Sequence, residues 1–269
     1  MPRAEVERLL RAMPPATILV GGQALAFWMS RYGLLSVHDE DHAVTRDADL
    51  IGALSDARQL ARALHGRLVM PHESAPTGIV AQIHLPIPGT TTTHNIDILH
   101  MLYAVGGLRK SSEFTRRASA RAAVVSIPGV GQTRILHPMD VLASRVNNAA
   151  GLLHEKGEHV LTQARWAIAV ARHALLRIAQ QPTNEDRPGN LAQEIYRLAC
   201  SSAGRKLFSE HGIEVADAVP MDELGRLDPN FGTQAEAMRR ALAAQRSVPK
   251  SPSKTPSATA RKKRSSRKP

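Results

Sequence analysis

The run Ile18-Leu19-Val20-Gly21-Gly22 constrains the fold more than any other part of the chain. A short apolar run ended by two glycines is a strand that must stop at once. The glycines let backbone N–H groups approach whatever lies past the strand end without side-chain obstruction. The next segment, Gln23–Tyr32, sets Leu25, Trp28 and Met29 on one helical face, so the chain reads strand, glycine pair, helix. A helix that starts at such a turn aims its dipole and first-turn amides at an anion. In Thr45-Arg46-Asp47-Ala48-Asp49-Leu50-Ile51 the alternation of an extended chain puts Asp47 and Asp49 on one face, about 7 Å apart, with Ala48 and Leu50 on the other. In Asn95-Ile96-Asp97-Ile98-Leu99 a carboxylate stands between isoleucines. It is costly there unless it meets a metal, a hydrogen-bond partner or water. Carboxylates converging on one sheet edge make a hard-oxygen site of the kind that suits Mg²⁺, whose other ligands come from water and substrate phosphates.

From His137 onward the pattern is helical only. Pro138 suits a first turn, Val141, Leu142, Arg145, Val146 and Ala149 share one helical region, and a longer helix is predicted over His159–Gln180. Further helices are predicted at Asn190–Ser201 and Thr233–Gln245. Earlier in the chain the spacing predicts a helix over Ala4–Met13, stopped by Pro14-Pro15, and one over Asp56–His65 with Ser55 and Gly66 as its caps. Strands are predicted at Thr17–Val20, Arg67–Met70 and Ile79–His84, with Thr90–Thr93 a turn. A pair at Ala122–Ser126 and Thr133–Leu136 is joined by Pro128-Gly129-Val130-Gly131. Helices alternating with strands over connections too long for hairpins argue for a mixed sheet carrying helices.

The ordered set of strand, Gly-Gly, helix, Thr-x-Asp-x-Asp and apolar-Asp-apolar resembles the nucleotidyltransferase superfamily. Within it the chain is most similar to the AbiEii-type abortive-infection nucleotidyltransferases, the toxin halves of type IV toxin–antitoxin pairs. In these a Thr or Ser also stands just ahead of the Asp-x-Asp, as Thr45 does here. The likeness covers residues 16–100 and extends more loosely to 165. It implies an α+β fold with a nucleotidyltransferase-like mixed β-sheet and helices in a catalytic domain, 1–136. An all-helical domain, 137–245, and a disordered basic tail, 246–269, would follow. It also implies metal-dependent transfer of a nucleoside monophosphate from a nucleoside triphosphate to a hydroxyl on RNA, such as a transfer RNA end, or on a protein. Asp47, Asp49 and Asp97 would hold two Mg²⁺ ions, and Asp97 would draw the proton from the attacking hydroxyl. Gly21, Gly22, Gln23 and Thr45 would line the nucleotide phosphates and Arg145 would offset their charge. A cognate antitoxin is the partner such an enzyme implies.

The chain departs from that pattern in several places. Gln23 stands where a Ser is frequent, and Arg145 where a Lys is usual; the planar fork is not a neutral exchange for an ammonium. Of the acidic pair expected on the next helix, Glu158 is near the first position, but the second falls on Leu161 or Thr162. These departures keep a second reading open, a catalytically inactive protein of this fold that binds RNA or a protein partner.

Charge bears on the partner. From Arg246 to the end there are nine Lys and Arg residues and no acid, so of the net +11 only about +2 belongs to the body. Val248 is the only large apolar residue in that segment, too little to offset its ordering entropy. Such a tail attracts nucleic acid or an acidic surface through counterion release, without sequence specificity. One cysteine, Cys200, rules out an internal disulfide framework. No apolar run is long enough for a transmembrane helix and the N-terminus lacks a signal-peptide core, so a cytoplasmic protein with no membrane partner is expected. The run His38-Asp39-Glu40-Asp41-His42 reads as a solvated loop rather than a metal site. Gly21-Gly22 lacks the third glycine of a dinucleotide fingerprint, and no Gly-x-Ser-x-Gly elbow occurs.

Overall fold

The computed structural model describes residues 1–35, 47–72, 78–182, 186–227 and 229–247. Thr45, the His38–His42 run and the basic tail beyond Ser247 therefore lie outside the described residues. Seven strands pair into one mixed sheet: β1 (Ile18–Val20), β2 (Asp47–Ile51), β3 (Arg67–Val69), β4 (Ile79–Pro86), β5 (Thr93–Leu99), β6 (Ala123–Ile127) and β7 (Gly131–Ile135). Their order is β3-β4-β5-β2-β1-β7-β6. β2 and β5 run parallel, β1 is antiparallel to β2 and parallel to β7, and β4–β5 and β6–β7 are antiparallel pairs.

The two-residue alternation decides what each sheet face carries. Ala48 and Leu50 of β2, Ala81, Ile83 and Leu85 of β4, and Ile96 and Ile98 of β5 are all buried. Each large side chain among them contributes about 1.5–3 kcal/mol relative to exposure. The intervening positions put Asp47, Asp49, Gln82, Asn95 and Asp97 on the opposite face, and a register slip of one residue would bury the acids. Ordinary packing of the apolar face thus fixes the position of the acids.

Helix α1 (Arg3–Ala12) precedes β1, and α2 (Gly21–Arg31) begins where β1 ends. Next comes α3 (Leu54–Ala63), whose start differs from the expected Ser55 cap: Ala53 is the N-cap, and the Asp56 carboxylate accepts its N–H at 2.8 Å. The expected C-cap Gly66 is also displaced. His65 takes the left-handed conformation, φ 53°, while a Cβ on Gly66 would meet Ile83 Cγ2 at 2.5 Å and Leu85 Cδ2 at 2.8 Å. Gly66 is thus small because β4 packs against it, not because the helix needs a left-handed cap.

The helical half comprises α5 (Pro138–Gly151), α6 (Leu153–Lys156), α7 (His159–Gln180), α8 (Pro188–Ala199), α9 (Ser202–His211), α10 (Met221–Leu227) and α11 (Pro229–Ser247), after α4 (Leu108–Ala120) between β5 and β6. The His137 ring accepts the Met139 N–H at 3.3 Å as N-cap, and Pro138 occupies the first turn. α5 is buried almost all round, as suits a helix at the centre of a bundle. α7 offers it a stripe that includes Ala164, Ala167, Ala171 and Ala174. α2 packs on both α5 and α7, and one buried cluster runs from Leu9 through the sheet into α8 and α9.

An ion network pins α4 to α5 and α8. Arg117 and Arg121 donate to the wholly buried Asp140 at 3.1 and 3.0 Å, and Arg121 donates to both oxygens of Glu194 at 2.7 and 3.1 Å. Burial works against the Arg121 charge, but the two carboxylates outweigh it and hold its pKa above the ordinary value. α11 extends to Ser247, and Arg246 near its end pairs with Glu214 at 3.1 Å and lies over the Phe208 ring. Among the described residues no helix is long and apolar enough to cross a membrane.

Candidate active site

The site is built where β1 gives way to α2. Val20 is still extended, and Gly21 takes φ +66° as the first residue of the helix. A Cβ on Gly21 would overlap Asp49 Oδ2 and lie 2.7 Å from its Cγ. The contact follows from register, because Val20 pairs directly with Asp49. A glycine is required there both by the left-handed φ and by the carboxylate pressed on its Cα. Gly22 and Gln23 follow in the first turn, both buried, and Val20 offers no side-chain cap to that turn.

On the other side of β2, Asp49 pairs directly with Asp97 across the parallel ladder, and Asp47 pairs with Asn95. Directly paired residues share a face, so Asp47, Asp49 and Asp97 stand on the sheet face opposite Ala48, Leu50, Ile96 and Ile98. Asp47 is exposed, whereas Asp49 and Asp97 are half-buried. Burial pushes the Asp49 carboxyl above its usual range; Arg145 and Lys156 oppose that, and Asp47 adds to it. Burial also raises Asp97, reinforced by Asp49 and Asp47 and opposed by the Gln82 hydrogen bond. Carboxylates that disfavour one another's charge in this way create a demand for positive charge at the same point. Among the described residues, however, no three His, Cys, Asp or Glu side chains are gathered closely enough to hold a metal ion.

Positive charge reaches the acids from the helical half. Arg145 on α5 is 8% exposed and acts electrostatically on Asp49. Its Nη1 donates to Gln163 Oε1 at 3.0 Å and its Nη2 to Ser144 Oγ at 3.2 Å. Lys156, at the exposed end of α6, acts on both Asp49 and Asp97.

Three residues here escaped sequence reasoning. Gln82 donates to Asp97 Oδ1 at 2.9 Å, directly across the β4–β5 ladder. Its signal was the alternation itself, since Gln82 is a polar residue between Ala81 and Ile83. Lys156 had no apolar pattern to mark it. Gln163 interrupts the Val160, Ala164, Ala167 stripe of α7, so it is a polar residue on the buried face. The position facing Arg145 is therefore Gln163, one or two residues beyond the Leu161 or Thr162 to which the expected second acid was assigned. Two sizeable grooves lie elsewhere among the described residues. One of about 1050 Å³ runs past Phe114, Leu142 and Ile195, and one of about 980 Å³ past Pro188, Leu224 and Phe231.

No family model matches the chain, and no curated protein matches it. Among solved structures, the crystal structure of JHP933 from Helicobacter pylori covers 90% of this chain and 94% of its own, at 14% identity and a TM-score of 0.34. A likeness that slight transfers neither architecture nor activity to this chain.

Proposed function

We propose that this chain is a metal-dependent nucleotidyltransferase that moves a nucleoside monophosphate from a nucleoside triphosphate to a hydroxyl on RNA or protein, in the manner of the AbiEii-type toxins it resembles. The observation that carries the reading is the register that sets Asp49 beside Asp97 while Gly21, at the start of α2, lies against the Asp49 carboxylate. Acids and helix start therefore share one place, as a polyphosphate held for displacement requires. The first turn at Gly21, Gly22 and Gln23 takes phosphate oxygens through the helix dipole. Arg145 and Lys156 offset the polyphosphate charge. Asp97, its carboxyl raised, accepts the proton of the acceptor hydroxyl. The hydroxyl oxygen forms its bond to the α-phosphorus as the bond to pyrophosphate breaks.

The donor set suits a hard cation in kind: carboxylate oxygens only, mutually repelling, with Asp49 and Asp97 half-buried and Asp47 exposed. Asp47, Asp49 and Asp97 would hold Mg²⁺, two ions in the reading the resemblance implies, and the metal when bound supplies charge neutralisation at the reacting phosphate. The basic tail favours RNA as the acceptor, such as a transfer RNA end, over a small alcohol. A cytoplasmic setting and a cognate antitoxin belong to the same reading.

The test is incubation with Mg²⁺, total RNA and each α-labelled nucleoside triphosphate in turn. The expected result is label transferred to RNA or protein by the wild type and lost in Asp49→Ala. A second reading draws on the lack of a three-ligand group among the described residues. In that case the chain is an inactive protein of this fold, and the assay would show RNA or protein binding without transfer, unchanged in Asp49→Ala.

A further inference from the structure

Two largely buried arginines of this fold are held in opposite ways. Arg121 is surrounded by carboxylate, donating to Glu194 at 2.7 and 3.1 Å and to Asp140 at 3.0 Å. Arg145 is the more deeply buried, yet its two hydrogen bonds go to an amide and a hydroxyl, at Gln163 and Ser144. Its Nε, also buried, has no partner among the described residues. The acid that acts on it, Asp49, does so through space rather than through a hydrogen bond among these. Burial accordingly lowers the Arg145 pKa, where the carboxylates raise that of Arg121. A buried guanidinium held by neutral groups is expensive to keep, and one Glu in place of Gln163 would relieve it without changing side-chain size. The fork is held in place while no carboxylate among the described residues accepts a hydrogen bond from it.

We infer that Gln163 is a positioning residue, holding the Arg145 fork by a neutral contact so that its positive charge stays available, through space, to the polyphosphate of the substrate. The inference rests on the nucleotidyl-transfer reading above and goes beyond it, because it assigns a role to a residue on α7 and explains why that residue is not an acid. A carboxylate at 163 would take both hydrogen bonds and charge from the guanidinium, as Glu194 does with Arg121. Stability and substrate affinity are then opposed at this position. A residue that merely packs α7 on α5 would move the two together.

The experiment is calorimetric titration of the full chain with inorganic tripolyphosphate and with ATP, GTP, CTP and UTP, each with Mg²⁺, beside thermal unfolding without ligand. Gln163→Glu is expected to raise Tm by about 2–4 °C and to weaken binding about tenfold or more. Gln163→Met, which removes the positioning contact but leaves the charge, is expected to weaken binding less. It also serves alone should the Glu variant fail to fold, since unchanged affinity in Gln163→Met overturns the inference. Equal losses in both variants, or Gln163→Glu binding as tightly as wild type, overturn this inference and leave the nucleotidyl-transfer reading standing. A wild type that binds none of the five probes overturns both.

Discussion

Replacing Gly21 with Ala tests the geometry of the site through stability alone. At φ +66° an Ala costs about 1–2 kcal/mol in backbone conformation. The added Cβ overlaps Asp49 Oδ2 and comes within 2.7 Å of Cγ and 2.9 Å of Cβ, so the carboxylate must move out of its place against the helix. Forced repacking of this kind costs about 1–3 kcal/mol more. The single variant should therefore lose roughly 2–5 kcal/mol. In an Asp49→Ala background Oδ2 and Cγ are gone and only the 2.9 Å approach to Cβ remains. The same glycine substitution should then cost mainly its backbone share, giving a coupling of about 1 kcal/mol or more in a double-mutant cycle. Urea denaturation of the four proteins measures it, provided the m-values agree. Additivity within about 0.5 kcal/mol would show that the carboxylate does not lie against Gly21, and the site as described would not exist.

Other consequences can be checked with the same samples. Because Asp49 and Asp97 titrate above their ordinary value in the folded chain, their contribution to stability is fully present below about pH 3.8 and is lost as pH rises through their folded values. Asp49→Asn should flatten that loss in a pH series of unfolding curves without ligand; an unchanged profile contradicts the assignment. Arg121→Ala strips a guanidinium from the fully buried Asp140 and from Glu194, leaving Arg117 as partner. Since that side chain is itself 24% exposed, we expect a loss of about 2–3 kcal/mol, read by denaturation; a loss below about 0.5 kcal/mol would make the network a surface pair. Gly66→Ala should cost about 1–3 kcal/mol by pressing on Ile83 and Leu85, and Ile83→Ala should relieve part of it.

The sheet and its acids were legible because they rest on the strongest local signals. Apolar alternation fixed which residues of β2 and β5 face outward, and the glycine pair marked the passage from β1 into α2. What could not be read was pairing, since nothing local to 47–51 or 93–99 says that Asp49 lies opposite Asp97 rather than two residues away. Helix α4 escaped for a different reason: its buried face is Ser111, Phe114 and Ala118, too weakly apolar to show a period. Helix α9 was hidden because it follows α8 within three residues, its start given by Ser201 accepting the Gly204 N–H and its end by left-handed Gly212. The caps of α3 were misplaced because Ser55 and Gly66 are good cap residues in isolation. Asp56 and the packing of β4 against Gly66 decided otherwise. Gln163 is a lone polar residue on an apolar helix face, where the family pattern points to an acid instead.

The central claim, that the strand acids and the start of α2 form one centre for a metal-bound polyphosphate, is tested most directly by Mn²⁺ binding. Electron paramagnetic resonance would follow free Mn²⁺ titrated into the protein with and without a nucleoside triphosphate. The expected result is nucleotide-promoted Mn²⁺ binding in the wild type and in Asp56→Asn, absent in both Asp49→Asn and Asp97→Asn. Binding that survives both of those substitutions would place the metal elsewhere and contradict the account.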